Sequence, residues 1–467
     1  KIEAVWEIKS NAVWGDGTPV TGHDVVFSWE VARSNNVSVG EKEIYDQVGK
    51  IVVDPANPKK FTFYHDEAKW DYYQIPSFYI LPKHLEKPVF DKYGNQKEGY
   101  DKNSLYSTNP TNPGLYNGPY RVKEIKLGSH VALVRNDLFY GKRPYFDSIV
   151  TKLIPNTSAL EANLVTGTID MISILGPAFD QALGIEKRMM AKNLPFSVKF
   201  RQGLVYEHID LQLSNPILKD VQVRKALVHA IDRNALVEAL FEGKQEMAIH
   251  SIAPIDAWYT DDPDEIVHYP YSKRKARKLL KKAGWKLGPD GYRYKDGQRL
   301  AFQLMTTSNN KTRELVEIWL QEEWKKVGIE ITIKNEPARV YFGETVRKSK
   351  FPAMAMFAWL SSPENNPRST FHSSNIPTAA NGYSGQNDTR WVNHKVDKLI
   401  EEIDVTFSHE KRVELAGKIL YHYTNDVPVI PLYYRAQIAV IPSNMKGYRL
   451  TGHQFAPSNN VEDWYLD

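Results

Sequence analysis

Val13-Trp14-Gly15-Asp16-Gly17-Thr18-Pro19-Val20-Thr21-Gly22-His23-Asp24-Val25-Val26-Phe27-Ser28-Trp29 is the stretch that decides the fold. It reads as a strand end, a tight turn and a capped helix. Gly15-Asp16-Gly17 supplies residues that tolerate positive φ, and Pro19 stiffens the exit. Thr21 is placed as an N-cap, with Asp24 three residues on as an acidic variant of the capping box. The apolar run Val25-Val26-Phe27 and Trp29 follows.

Outward from this unit the chain alternates strand and helix patterns. Ile2–Ile8 and Lys59–His65 read as strands, the second following the turn Asp54-Pro55-Ala56-Asn57-Pro58. Asn117–Val122 and His130–Arg135, joined through Leu127-Gly128-Ser129, form a hairpin pattern. Leu160–Gly167 reads as a short helix with a glycine stop, followed by a strand at Ile169–Ile172. Helices are expected from Asp220, from the Asp232 cap to Gly243, over Tyr271–Gly284, over Lys311–Gly328 and over Leu399–Tyr423. Strands are expected at Ala301–Met305, Ile329–Lys334 and Val429–Tyr434. This alternation points to an α/β architecture with crossover helices over a sheet. No internal repeat interrupts it.

Composition narrows the function. The 467 residues are 42% apolar and 25% charged, enough to bury large cores in at least two domains. A net charge of +4 with no dominant Lys/Arg block argues against a nucleic-acid partner. The densest basic run, Lys273–Lys278 with Lys281 and Lys282, reads as a solvated helix face. Without cysteine there is no thiolate metal site, disulfide or cysteine nucleophile. No run approaches the roughly 20 apolar residues of a membrane helix. No signal peptide is visible, and the chain starts inside a strand pattern. The 26 Tyr, 11 Trp and 18 Phe lie partly in polar stretches, which suits a large recognition cleft as well as interdomain packing.

Catalytic motifs are sparse. Ser272-Lys273-Arg274-Lys275 fits S-x-x-K but lies in the basic run without its companion motifs. Gly382-Tyr383-Ser384-Gly385 falls short of a nucleophile elbow, and zincin, phosphate-loop and dinucleotide signatures are missing. His65, His84, His208 and His372 lie in different segments, so a metal site would need tertiary assembly.

The opening stretch closely resembles a segment of the bacterial extracytoplasmic solute-binding proteins of the peptide/nickel class, family 5. Further segments resemble that family in the same order. They are Asn117-Gly118-Pro119-Tyr120, Arg135-Asn136-Asp137 with Tyr140–Pro144, Leu164–Asp170, Asn215–Ala226 with Ile231-Asp232-Arg233, and Tyr271–Leu280 with Ala283-Gly284-Trp285. The resemblance implies a two-lobed periplasmic binding protein fold, type II, of the large peptide-binding subclass. Its discontinuous lobes hold a ligand in the cleft between them, close on it and deliver it to the permease of an ABC importer. It further implies a monomeric periplasmic or lipid-anchored extracytoplasmic receptor with no cofactor, no resident metal, no nucleic-acid partner and no enzymatic activity. The expected first lobe is 1–207, with an extra subdomain of about 1–117. The second lobe is 208–431, and 432–467 returns to the first. Relatives carry several dozen residues before the opening segment, so the expectation is a first lobe lacking some strands.

The resemblance also places ligand contacts. Met354–Pro367 aligns with the family stretch whose tryptophan stacks on ligand, here Trp359. Where oligopeptide-binding members hold the peptide ammonium with an aspartate, this chain has Ser362. A hydroxyl cannot replace that charge-assisted bond, worth about 1.5–3 kcal/mol. Either the counter-charge for a zwitterionic peptide comes from Glu364 or Asp210, with Arg368 able to hold its carboxylate, or the ligand is not held by a free amine. Ser361 lies in the same Met354–Pro367 segment, and His372 and Tyr383 belong to the donor-rich stretch that follows it, expected to line a cleft. On the alternating strand Val205–Leu213, Tyr206, His208, Asp210 and Gln212 share one face and read as a cleft wall. Short oligopeptides are the expected ligand. The alternatives are an oligosaccharide or a metal complex and, in another class, a peptidase.

Overall fold

The computed structural model describes residues 1–39, 42–75, 77–154, 158–174, 176–383, 385–453 and 456–467. Two compact units divide them. One comprises Lys1–Ile169, Asn444–Arg449 and Pro457–Asp467; the other comprises Asp170–Ser443 and Leu450–Ala456.

The smaller unit begins with strands β1 (Ile2–Glu7), β2 (Val48–Val53) and β3 (Lys60–His65), antiparallel in the order β1-β3-β2. The opening stretch folds as its residues dictate. Gly17 has φ 89° in the turn, closed by Gly17 N–H donating to Trp14 C=O at 2.8 Å, and Val13 bridges Pro19. The helix Gly22–Arg33 starts at Thr21, whose N–H donates to Asp24 Oδ2 at 2.8 Å. Gly22 lets that helix approach the sheet, since a Cβ there would meet Val53 Cγ2 at 3.1 Å and Phe61 Cβ at 3.2 Å. Val25 and Ala32 then pack with Ala4, Ile51, Phe61 and Phe63. A second antiparallel sheet holds β4 (Tyr120–Lys126), β5 (His130–Arg135) and β6 (Ser148–Lys152).

The larger unit is built on a six-stranded mixed sheet. Its strands are β7 (Phe196–Leu211) and β8 (Glu246–Met247), then, after a small sheet of β9 (Lys286–Leu287), β10 (Arg293–Lys295) and β11 (Gln298–Arg299), the strands β12 (Ala301–Met305), β13 (Glu330–Ile333), β14 (Met354–Trp359) and β15 (Val429–Pro442). The order is β13-β12-β14-β7-β15-β8. β12 runs parallel to β13 and β14, while β7 is antiparallel to both of its neighbours. Helices Val221–His229, Arg233–Phe241 and Lys311–Lys325 bury Val223, Leu227, Leu236, Val316, Leu320 and Trp324 against Ile209, Leu211, Met354 and Ile430. The chain ends in the smaller unit with the ribbon β16 (Met445–Lys446) and β17 (Tyr465–Leu466).

Three expectations change. β7 runs unbroken through residue 207 and β15 through 431, paired along most of their lengths. Cuts there would divide hydrogen-bonded strands, so the units part at 169 and 443 instead. Ile169–Ile172 contributes only a bridge from Ile172 to Val440. The expected helix Leu399–Tyr423 is two helices, His394–Asp404 and His409–Asp426. Ser408 caps the second by accepting from Lys411 N–H, and Arg412 Nη1 donates to Thr406 C=O at 3.2 Å and Phe407 C=O at 2.9 Å, holding the break.

The buried Asp24 carboxylate also accepts from Lys83 N–H at 2.9 Å. Asp24→Ala removes the acceptor of two backbone donors and should lower unfolding free energy by about 1–3 kcal/mol. Chemical denaturation measures this, with Asp24→Asn expected to lose less.

Candidate functional site

The β7–β14 register builds a wall. Trp359 pairs with Tyr206, Phe357 with His208 and Ala355 with Asp210, so these side chains share one face of the sheet. The Tyr206 and His208 rings lie parallel, 4.5 Å apart. Trp359 continues the stack at 6.4 Å from His208 and meets Phe357 edge-on at 5.3 Å. Beneath Trp359 lies a small core of Met305, Tyr341, Val346, Phe351, Ala355 and Phe357. Tyr206 is anchored by a 2.6 Å hydrogen bond between its hydroxyl and that of Tyr423.

This wall faces a cavity of about 110 Å³ inside the larger unit. Trp258 and Phe371 complete its aromatic lining, and Ser251, Ser361, Asn365, Ser369, Thr370 and Gln386 bring polar groups. The space is smaller than the roughly 300–1,000 Å³ of whole small-ligand pockets, and fits one side chain or end group. Among the described residues, Asp210 is the only acidic residue lining it and no Lys or Arg does.

Asp210 is 3% exposed. His208 Nδ1–H donates to Tyr206 C=O at 3.2 Å, while Nε2 approaches Asp210 Oδ1 at 3.3 Å outside hydrogen-bond geometry. Asp388 lies beside them, also buried, with Oδ1 lacking a partner. Burial, and after it the Asp210 charge, push the Asp388 carboxyl up to about 8, against the pull of Arg390.

The opposite face of β7 carries Glu207, fully buried among apolar neighbours such as Ile209 and Leu211 on the same face. Its Oε1 accepts from Arg313 Nε at 2.7 Å, and its Oε2 lies 2.5 Å from Arg435 Nη2. Burial works to raise this carboxyl, but Arg435 and Arg313 hold it below the usual range.

The structure thus gathers Tyr206, His208, Asp210, Trp359 and Ser361 around one cavity. The other expected contacts lie outside it. Gln212 Nε2 donates to Ser349 C=O at 3.0 Å and holds the turn before β14. Glu364 Oε2 is 3.3 Å from Arg412 Nη2 and 3.4 Å from His409 Nδ1, so its charge is spent inside the unit. Arg368 donates to Asp404 Oδ2 through Nε at 2.9 Å and Nη2 at 2.6 Å. His372 accepts or donates at Ser374 Oγ, 2.7 Å away, with Glu401 Oε1 at 3.4 Å. Ser362 is half-buried, and Tyr383 packs under the Lys348 ammonium at 5.4 Å. Ser384 lies outside the described residues. Trp258, Phe371 and Thr389 line the cavity without having been anticipated, since neither periodicity nor a motif marks them. No group of three or more His, Cys, Asp or Glu among the described residues could hold a metal ion, and no described helix is long and apolar enough to cross a membrane.

The family profile of bacterial extracellular solute-binding proteins, family 5, matches residues 3–379. The chain belongs to that family. It is 27% identical over 468 residues to the oligopeptide-binding protein AppA of Bacillus subtilis, covering 98% of this chain and 80% of that one. The structure of that protein with a nonapeptide superposes with a TM-score of 0.75 at 26% identity, over 100% of this chain and 87% of the other. The oligopeptide-binding protein of Thermus thermophilus complexed with a pentapeptide gives 0.75 at 27% identity, over 99% and 84%. The fold is therefore that of the α/β solute-binding receptors.

Two outcomes follow from this geometry. Trp359→Ala should weaken ligand binding at least about tenfold while lowering the melting temperature only modestly, because the ring is half-buried at a strand end. Calorimetric titration and thermal melts read the two separately. Asp388 keeps its proton in the folded chain up to about pH 8, whereas an ordinary carboxyl releases it near 4. Folding therefore binds a proton in that window, and stability falls as pH rises through it, by at most about 1.4 kcal/mol per pH unit from this group. Asp388→Asn should raise the melting temperature at pH 8 and leave it nearly unchanged at pH 4.

Proposed function

We propose that this chain is the ligand-capturing receptor of an ABC importer and that its ligand is a short oligopeptide. The carrying observation is the cavity at the end of β14, stacked with aromatic rings and rimmed by small polar side chains, on a chain similar throughout to oligopeptide-binding proteins. A peptide presents apolar side chains alternating with amide donors and acceptors. Tyr206, Trp258, Trp359 and Phe371 offer contact area to the first; Ser251, Ser361, Asn365 and Gln386 offer hydrogen bonds to the second. The receptor works as a monomer in the periplasm or on the outer side of the cytoplasmic membrane. It passes its ligand unchanged to the permease, with no chemical step.

A mixed peptide pool incubated with the protein tests this reading. Native mass spectrometry should find a single 53.6 kDa chain carrying intact peptides. Fragments accumulating with time would replace the receptor by a peptidase, and ligand masses in hexose increments would replace the peptide by an oligosaccharide.

A further inference from the structure

The helix Lys273–Lys282 carries seven Lys and Arg in its 10 residues and no carboxylate. At 100° per residue the cations fill one half of its circumference, while Ala276, Leu280 and Ala283 on the other half join the main core. Arg274, Lys275, Arg277, Lys278, Lys281 and Lys282 are all exposed. The whole chain has a net charge of +4, and this helix contributes +7. The rest of the chain therefore sums to −3 (4 less 7), so the positive charge of the molecule is concentrated on one helix face.

Among the described residues none of the seven forms an ion pair. Lys273 rests over the Tyr271 ring at 5.8 Å, and Arg277 Nη2 donates to Lys326 C=O at 2.7 Å. The carboxylates beside that carbonyl, Glu322 and Glu323, are taken by Lys325 and Lys326. Helical lysines elsewhere are met one turn away: Lys87 by Asp91, Lys102 by Glu98, Lys348 by Glu344 and Lys418 by Glu414. Here the same spacing sets Lys273 against Arg277, Arg274 against Lys278, Arg277 against Lys281 and Lys278 against Lys282. Three of the cations also sit in the first turn, at the positive end of the helix dipole, with no acid there to offset them. Both arrangements weaken a helix. A face that keeps them without internal compensation holds its positive field for something outside the chain.

A convex helix surface about 15 Å long offers long, mobile cations with no fixed partner geometry, which suits a surface of equally mobile anions. Tyr271, 39% exposed, precedes the helix, and Leu287, 62% exposed, follows it. Aromatic and aliphatic side chains flanking a basic helix fit the headgroup level of a bilayer. We propose that the helix Lys273–Lys282 docks the larger unit on an anionic phospholipid surface, its lysines and arginines set against headgroup phosphates. The choice of a bilayer over another polyanion rests on the receptor reading, which brings the chain to a membrane permease; the charge asymmetry itself does not.

Vesicle flotation tests the face. The protein should bind vesicles of equimolar phosphatidylcholine and phosphatidylglycerol at least about tenfold more tightly than vesicles of phosphatidylcholine alone, since each cation near an anionic surface contributes about fivefold. Binding should fall steeply between about 0.01 and about 1 M salt, as the screening length shrinks from about 30 to about 3 Å. The triple variant Lys275→Gln, Lys278→Gln, Lys282→Gln should lose the preference with its melting temperature unchanged or raised, because repelling pairs have been relieved. The triple variant Lys87→Gln, Lys102→Gln, Lys418→Gln removes the same charge elsewhere and should keep the preference. Equal binding to the two vesicle types, or an equal loss in both triple variants, overturns the docking face. Tighter binding to a single-stranded oligonucleotide than to the anionic vesicles makes the partner a soluble polyanion and overturns the membrane. No peptide enters these measurements, so a failed docking face leaves the receptor reading standing, and a failed peptide titration leaves the vesicle result to be judged by itself.

Discussion

Glu207 and Asp210 lie three residues apart on β7 and so point to opposite faces of the same buried strand. The larger unit depends on how that strand is compensated. On one side, Arg313 from the helix Lys311–Lys325 and Arg435 from β15 close on Glu207, tying helix, central strand and neighbouring strand into one piece. Breaking a buried pair by removing one partner typically costs about 3–5 kcal/mol, so this contact fixes which helix covers which part of the sheet. On the other side, Asp210 is left to a cavity.

That asymmetry links architecture to function. A receptor needs a rigid wall and an unsatisfied surface in the same place, since rigidity lowers the entropy lost on binding and unsatisfied groups supply its specificity. β7 provides both because its two faces do different work. The face with Ile209 and Leu211 belongs to the main core, while the face with Tyr206 and His208 stacks into the cavity wall. The stacked rings keep their positions through sheet register and through the Tyr206–Tyr423 hydroxyl pair, without needing a ligand to order them.

Polar side chains elsewhere in the unit are largely consumed by its irregular segments. The stretch after β14 is dense in donors and acceptors, and composition alone suggests a binding surface. In the structure Arg368 closes on Asp404, Glu364 on Arg412, and Asn387 Nδ2 donates to Trp391 C=O at 2.8 Å. Backbone without regular pairing leaves amides and carbonyls that nearby side chains must satisfy when they are buried. A long segment rich in Asn, Ser and Arg is therefore as much a means of folding a loop as of holding a ligand.

Local signals carried far in this chain. The Thr21–Asp24 cap, the helix start at Asp220, the cap at Asp232, the hairpin through Gly128 and the alternation of Val205–Leu213 were all legible, because each depends on contacts within a few residues. The ordered motifs named the family, and with it the expectation for Trp359, while the alternation alone marked the wall strand. Sequence could not say that β7 is buried on both faces, because alternation reports which side chains share a face and not what covers each. It could not show that two guanidiniums meet Glu207 while Asp210 has only His208 within ion-pair distance, since Arg313 lies 106 residues from Glu207 along the chain. Nor could it show that Glu364 is already met by Arg412 and His409. Only the tertiary structure decided that, because availability is set by whether a distant guanidinium has already been brought within reach.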